Sequence, residues 1–405
     1  MFKIAQIFLK KNSINLPEME VNAEANIDSG EFTGNNSLTW NQISSSFNLP
    51  DARQKKPSDF KFFNLLNRAS QPGDTKVWLA KRKIDNQPCA IKVKQKQKCL
   101  VEGTTDDLLN ELDLLKWLKH QYIVSIQSAF INNDYLFMEM EFAPHQTLAH
   151  LTKEYKMMSP FIARFYISQL IVVLDFLHSQ KIVLRGLTPS SVLLDHKGYI
   201  KLSNFSSAVY TPEDICTKKN LCAFAYTAPE LILDKTHSYS VDWWSLGVIM
   251  YEMIYGTLPF DLDPYEHEDS IENYDKNVVE EIIQGDIRYP SVGDKTERFL
   301  CPNSFLRILL SREPTDQMTS MIEIKKEYLF EGFDWDELEN RKVPAPFLPN
   351  KVKIPWKTSC PPHFLYNNRE KDSKEYAQEY TDWKFPETEN LEYKEDVFSN
   401  YFYLK

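Results

Sequence analysis

The stretch Val183–Ser207, VLRGLTPSSVLLDHKGYIKLSNFSS, decides how this chain is read. It lies between two strongly apolar helical patterns. Upstream, Pro160–Gln180 puts Phe161, Phe165, Ile167, Leu170, Val173, Leu174 and Leu177 on one broad face. Downstream, Val241–Tyr255 is apolar nearly all round, as a buried central helix would be. The stretch itself reads as loops and short strands. Further out, Lys276–Gln284 and Ser304–Ser311 predict two more helices, so the chain beyond Pro144 reads as a helical lobe.

Toward the N-terminus the period changes. Phe63–Leu66, Lys76–Lys81 and Ala90–Val93 alternate as antiparallel strands, the last two joined by a turn at Asp85-Asn86-Gln87. Thr105–Leu118 carries Leu108, Leu109, Leu112, Leu115 and Leu118 at helical spacing. Ile123–Phe130 and Tyr135–Phe142 add two strands around Asn132-Asn133-Asp134. The expected architecture is α+β: a strand-rich lobe with one main helix at 59–142 and a helical lobe at 143–330. Residues 1–58 read as a mostly disordered extension with a short helix at Phe2–Lys11, and 331–405 as a tail that wraps a domain.

Composition narrows the function. A net charge of −10 argues against nucleic acid and acidic membrane surfaces as partners. No run of about 18 apolar residues suggests a membrane span. Six scattered cysteines predict free thiols in a reducing cytoplasm. Glycine is scarce, 11 in 405 residues, which bears on any loop that must approach phosphate.

Several motifs have recognisable spacing. They are Lys201-Leu202-Ser203-Asn204-Phe205, Leu221-Cys222 ahead of Ala228-Pro229-Glu230, and Val241-Asp242-Trp243-Trp244-Ser245-Leu246-Gly247. Others are Tyr251-Glu252-Met253, Gly256-Thr257-Leu258-Pro259-Phe260, and Phe333-Asp334-Trp335 leading to Val343-Pro344-Ala345-Pro346-Phe347-Leu348-Pro349. On these the chain resembles the protein-kinase fold over Asp59–Pro349, and within it the AGC group and the cAMP-dependent protein kinase catalytic subunit. Phe398, Tyr401 and Phe402 are similar to that group's C-terminal aromatic motif.

The resemblance implies a division between scaffold and chemistry. Lys92 would pair with Glu111, 19 positions on; alone, Lys92 reads equally well as an exposed strand lysine. Val77, Ala90 and Leu193 would sandwich adenine, Met140 would guard the pocket, and the backbone of Glu141 and Ala143 would face the base. Leu115, Ile126, Leu184 and Phe205 would stack as an apolar column above Asp242. The chemical groups depart. Gly186 stands where an aspartate would accept the hydroxyl proton, Thr188 where a lysine would meet the phosphate, and Ser191 and Asn204 where Mg²⁺ would be held. Counting back from Val77, Ser70, Pro72 and Thr75 replace the three phosphate-loop glycines. Asn220 replaces the activating threonine that would meet Arg185, Thr147 and Ser190 replace two substrate-reading acids, and Gln317 replaces the arginine that would pair with Glu230; Glu252 is kept.

The expectation is therefore a catalytically inactive kinase-like protein, a protein-interaction or allosteric regulator in phosphorylation signalling. Its partners would be a kinase, a regulatory subunit or a substrate-like peptide. No cofactor would be required, with ATP free of Mg²⁺ as the nucleotide to test. The alternatives are a weakly active ATP-dependent serine/threonine kinase, with Asp195 the nearest substitute base though on the wrong side of the loop, and a Mg²⁺-independent nucleotide switch. The segment between Phe260 and Arg288 is 27 residues, about ten more than the resemblance implies. Its acidic stretch 261–275 reads as a solvated loop or as a partner site for a basic surface.

Overall fold

A computed structural model describes residues 55–67, 75–132, 134–144, 147–211, 224–260, 271–290, 302–317 and 320–347. They form two compact units. One takes the described residues of Leu38–Thr105 and Ile126–Phe142; the other takes Asp106–Ser125 and those of Ala143–Lys353.

The first unit is built on five antiparallel strands, β1 (Phe60–Leu65), β2 (Lys76–Arg82), β3 (Pro88–Gln95), β4 (Ile126–Ile131) and β5 (Tyr135–Glu141), in the order β1-β2-β3-β5-β4. Alternation explains the layering. Phe60, Phe62, Trp78, Ile91, Val93, Phe130 and Phe137 share one buried cluster. Phe60, Phe130 and Phe137 stack with centroids 5.6 and 5.0 Å apart. A short helix, α1 (Lys96–Glu102), follows β3; the alternating pattern gave no sign of it because seven residues hold too few apolar positions.

Helix α2 (Thr105–Trp117) groups with the second, helical unit from Asp106 onward. The sequence reading assigned it to the strand lobe at 59–142; two of its side chains bond to residues of the helical unit. Asn110 Nδ2 donates to the Ala208 carbonyl at 2.6 Å, and Glu111 Oε1 accepts from the Phe205 amide at 3.2 Å. The rest of the unit comprises α3 (Leu148–Tyr155), α4 (Pro160–Ser179), the two-stranded pairs β6 (Ile182–Val183) with β9 (Val209–Tyr210) and β7 (Val192–Leu194) with β8 (Ile200–Leu202), α5 (Pro229–Ile232), α6 (Ser240–Tyr255), α7 (Ile271–Gln284), α8 (Asn303–Leu309), α9 (Met321–Ile324) and α10 (Trp335–Glu339).

α4 starts on a Ser159 cap with Pro160 in its first turn, and α6 ends on Gly256 in the left-handed region. By length and apolarity alone α4 could cross a membrane, but most of it is buried in this unit. Glu272 and Asp275, read from sequence as part of an acidic loop, lie in α7. Positions 261–270, the N-terminal helix at Phe2–Lys11, Asn220 and the aromatic motif at Phe398–Phe402 fall outside the described residues.

Helix α6 is the centre of the helical unit: Trp243, Trp244, Leu246, Val248 and Ile249 are completely buried. Gly247 lets α8 come close, since a Cβ there would sit 2.8 Å from the Leu309 Cβ. Gly247→Ala is expected to cost about 1–3 kcal/mol, read as a lowered thermal midpoint, because the Leu309 side chain it would press on belongs to a packed helix. An unchanged midpoint would show that α8 can slide.

Candidate functional site

In the strand unit, register places the expected nucleotide-facing residues on one sheet face. Val77 is opposite Lys92, and Ala90 is opposite Met140. Lys92 is only 6% exposed, so it is not one more solvent-facing strand lysine. Glu141 closes β5.

The mouth of the β1–β2 loop differs from a count back from Val77. The Leu66 amide donates to the Val77 carbonyl at 2.7 Å, so the loop begins at Asn67, three positions before Ser70. Asn67 then bridges the two sides. Its Oδ1 accepts from the Val77 amide at 2.6 Å and its Nδ2 donates to the Thr75 carbonyl at 2.7 Å. A side chain thus takes over a backbone rung at the loop base. Ser70 and Pro72 lie outside the described residues.

In the helical unit, Val183–Ser207 is held by one carboxylate. Asp242, fully buried on α6, accepts from the Leu184 amide at 2.9 Å and the Arg185 amide at 2.8 Å, and lies 2.9 Å from His178 Nε2. Arg185 has φ +56°, a left-handed conformation costly for a long side chain, and its Nε donates to the Ser207 carbonyl at 2.8 Å. Leu184 and Phe205 are buried here, as is Leu115 on α2. Glu111, also buried, secures the Phe205 amide.

The chemical positions carry other groups. Gly186 is buried and has no side chain. The Ser191 hydroxyl donates to the Thr188 carbonyl at 2.8 Å and accepts from the Thr188 amide at 3.2 Å, closing a local turn. Thr188 Oγ1 lies 2.9 Å from Ser190 Oγ. Asn204 is exposed at φ +65°, a conformation Asn tolerates as Asp does, and its Oδ1 accepts from Ser206 Oγ at 3.0 Å. Asp195 is anchored elsewhere: it accepts from the Lys197 amide at 2.8 Å and the Tyr199 amide at 3.1 Å, and its other oxygen meets Arg341. Arg341 also lies over the Tyr199 ring, 4.5 Å from its centroid. No spacing rule connects residues 146 apart, so sequence gave no signal for this pair.

The remaining residues expected at the site from sequence are, in this unit, Ala143, which opens its segment Ala143–Lys353, and Leu193, on β7, where it bridges to Thr147. Thr147 caps α3. Glu252 accepts from Tyr226 Oη at 2.7 Å; burial raises its carboxyl pKa, and the Tyr226 bond partly offsets this. Glu230, 5% exposed, takes one bond from Ser240 Oγ at 3.0 Å and is likewise raised by burial. Gln317 donates to the Ser311 carbonyl at 2.7 Å.

The half-buried imidazole of His120 gives the unit a pH signature. His120 stacks on Phe176 at 4.7 Å, and its Nδ1 accepts from the Tyr122 amide at 3.2 Å. Burial first, and the Lys201 charge second, lower its pKa from 6.5 to about 4. A depressed histidine is neutral when folded, so its stabilisation is complete above 6.5 and is lost as pH falls toward 4. With its partial exposure discounted, the loss is on the order of 1–2 kcal/mol. His120→Phe should flatten that part of the stability–pH curve; an unchanged slope would assign it to other groups.

Comparison with known proteins adds the family. Residues 73–329 match the model of the protein kinase domain. The chain is 32% identical over 301 residues to serine/threonine-protein kinase Sgk1 of Gallus gallus and of Homo sapiens, covering 73% of this chain and 65% of each relative. Sgk1 of Xenopus tropicalis is also 32% identical, with 68% of its length covered. The chain thus spans just under two thirds of the chicken and human relatives. These are AGC-group kinases, the group to which the sequence motifs point.

The relatives overturn one expectation. A chain needing no cofactor, or ATP without Mg²⁺, conflicts with serine/threonine kinase relatives, which imply ATP and Mg²⁺ together. The donors on this chain fit that ion poorly, because Ser191 and Asn204 offer neutral oxygens already used in local bonds. Among the described residues, no group of three or more His, Cys, Asp or Glu could hold a metal. With its strand and helical units, its Asp242-anchored loop and the match over residues 73–329, the chain belongs to the protein kinase domain family.

Proposed function

We propose that this chain is a regulatory member of the protein kinase family whose phosphotransfer has been lost, acting by binding protein partners in cytoplasmic phosphorylation signalling. The carrying observation is the vacancy of base chemistry at Gly186 together with the commitment of Asp195 to Arg341 and two turn amides. A proton acceptor must reach the attacking hydroxyl, and a tied carboxylate does not. The partners in this reading are another kinase, a regulatory subunit or a substrate-like peptide. In this reading the residues proposed for nucleotide are Val77, Ala90, Lys92, Glu111, Met140, Glu141, Ala143 and Leu193.

A second reading, an active serine/threonine kinase using ATP with Mg²⁺, is favoured by the names of the relatives. It also gains from the retained Lys92 and Glu111, both buried. Purified protein, incubated with radiolabelled ATP, Mg²⁺ and a generic serine/threonine substrate, decides between them. Incorporation equal to that of Lys92→Met supports the first; incorporation that disappears in Lys92→Met supports the second.

A further inference from the structure

The strand unit contains a buried carboxylate that the kinase reading does not use. Glu139, on β5, is completely buried opposite Ile91 of β3. Its Oε2 accepts from Lys55 Nζ and Ser128 Oγ, both at 2.5 Å. Its Oε1 has no hydrogen bond, and the Arg82 guanidinium stands 3.6 Å away. Arg82 is shared with Asp85 at 2.8 Å and Gln127 at 2.7 Å. The neighbouring Cys89 thiol is pushed up to about 12, by burial first and by the Glu139 charge second.

A buried carboxylate is strongly unfavourable without a close counter-charge. Here the closest cation comes from outside the sheet, 84 positions upstream. Lys55 lies just before β1, and its side chain is 35% exposed. The rest of the arm 55–59 is held by local bonds and by a bond to Lys83. Asp59 caps the Lys56 amide at 2.8 Å, the Asp59 amide donates to the Lys56 carbonyl at 2.9 Å, and the Lys83 amide donates to the Asp59 carbonyl at 2.9 Å. Lys56 and Ser58 are exposed.

We infer that Lys55 is an electrostatic latch: its charge fastens the arm 55–59 to the sheet through Glu139, and neutralising it frees the arm while the sheet stays folded. The sheet keeps its own support, since Arg82 and Ser128 remain beside Glu139 and the aromatic cluster is formed by the strands. The latch therefore couples the charge state of one reachable amine to the attachment of the arm 55–59.

Amide hydrogen exchange on the full chain tests this. Lys55→Gln removes the charge, and the Asp59 and Lys83 amides should then exchange about tenfold faster or more, as a locally released segment does. Lys55→Arg keeps the charge and should exchange like the parent. Ile91 and Phe137, inside β3 and β5, should be unchanged in both. Glu139→Gln, which neutralises the other half of the pair, should release the same two amides. The latch is overturned if Lys55→Gln or Glu139→Gln leaves Asp59 and Lys83 protected. Equal acceleration at Ile91 and Phe137, or Lys55→Arg behaving like Lys55→Gln, would overturn it too.

Discussion

Replacing Asp242 with alanine is expected to cost about 3–5 kcal/mol of stability in the helical unit. The carboxylate is wholly buried and holds the Leu184 and Arg185 amides and the His178 ring. Its loss leaves two buried backbone donors without acceptors, each with its full desolvation cost. It also removes one hold on Arg185, whose left-handed φ of +56° persists only because its surroundings fix it. Asp242→Asn should cost less, since one amide oxygen can still accept while the second position becomes a donor facing a donor. Denaturant unfolding of both variants gives the order. Equal midpoints for parent and Asp242→Ala would mean that Val183–Ser207 is held by its apolar side chains alone.

The second large effect is a gain. Gly186→Asp, Thr188→Lys, Ser191→Asn and Asn204→Asp, made together, should raise Lys92-dependent phosphotransfer by about 100-fold or more over the parent. That is the low end of what a positioned base contributes. The backbone is already suited to the change. Asn204 holds a left-handed conformation that aspartate also accepts, and Glu111 fixes the next amide, at Phe205. Gly186 follows directly on an Arg185 amide pinned by Asp242. Released from its hydroxyl bond to Thr188, position 191 can present an amide oxygen instead. A radiolabel assay with ATP and Mg²⁺, run beside the same variant carrying Lys92→Met, reads the outcome. No gain would locate the deficit in the β1–β2 loop, where Asn67 takes a backbone rung and proline and polar residues stand in place of glycine.

Much of this was legible in the linear chain. Strand alternation and helical periodicity located all five strands of the sheet and the long helices α2, α4, α6 and α7, because burial on one face imposes a period on apolar residues. The exchanged chemical groups were equally plain, since Gly186, Ser191 and Asn204 are side-chain identities. The short helices α1 and α3 were missed because two turns carry too little pattern to separate from loop.

Sequence by itself thus determined the fold class and the residue types that stand at positions 186, 188, 191 and 204, for these follow from local period and residue identity. The tertiary structure alone decided three other matters. It tied Asp195 to Arg341 across 146 positions, began the phosphate-side loop at Asn67, and put Lys55 against a buried Glu139 across 84 positions. The physical reason is common to all three. Periodicity says which face of an element is buried, whereas a polar partner distant in sequence is chosen only when packing brings two particular atoms within hydrogen-bond reach.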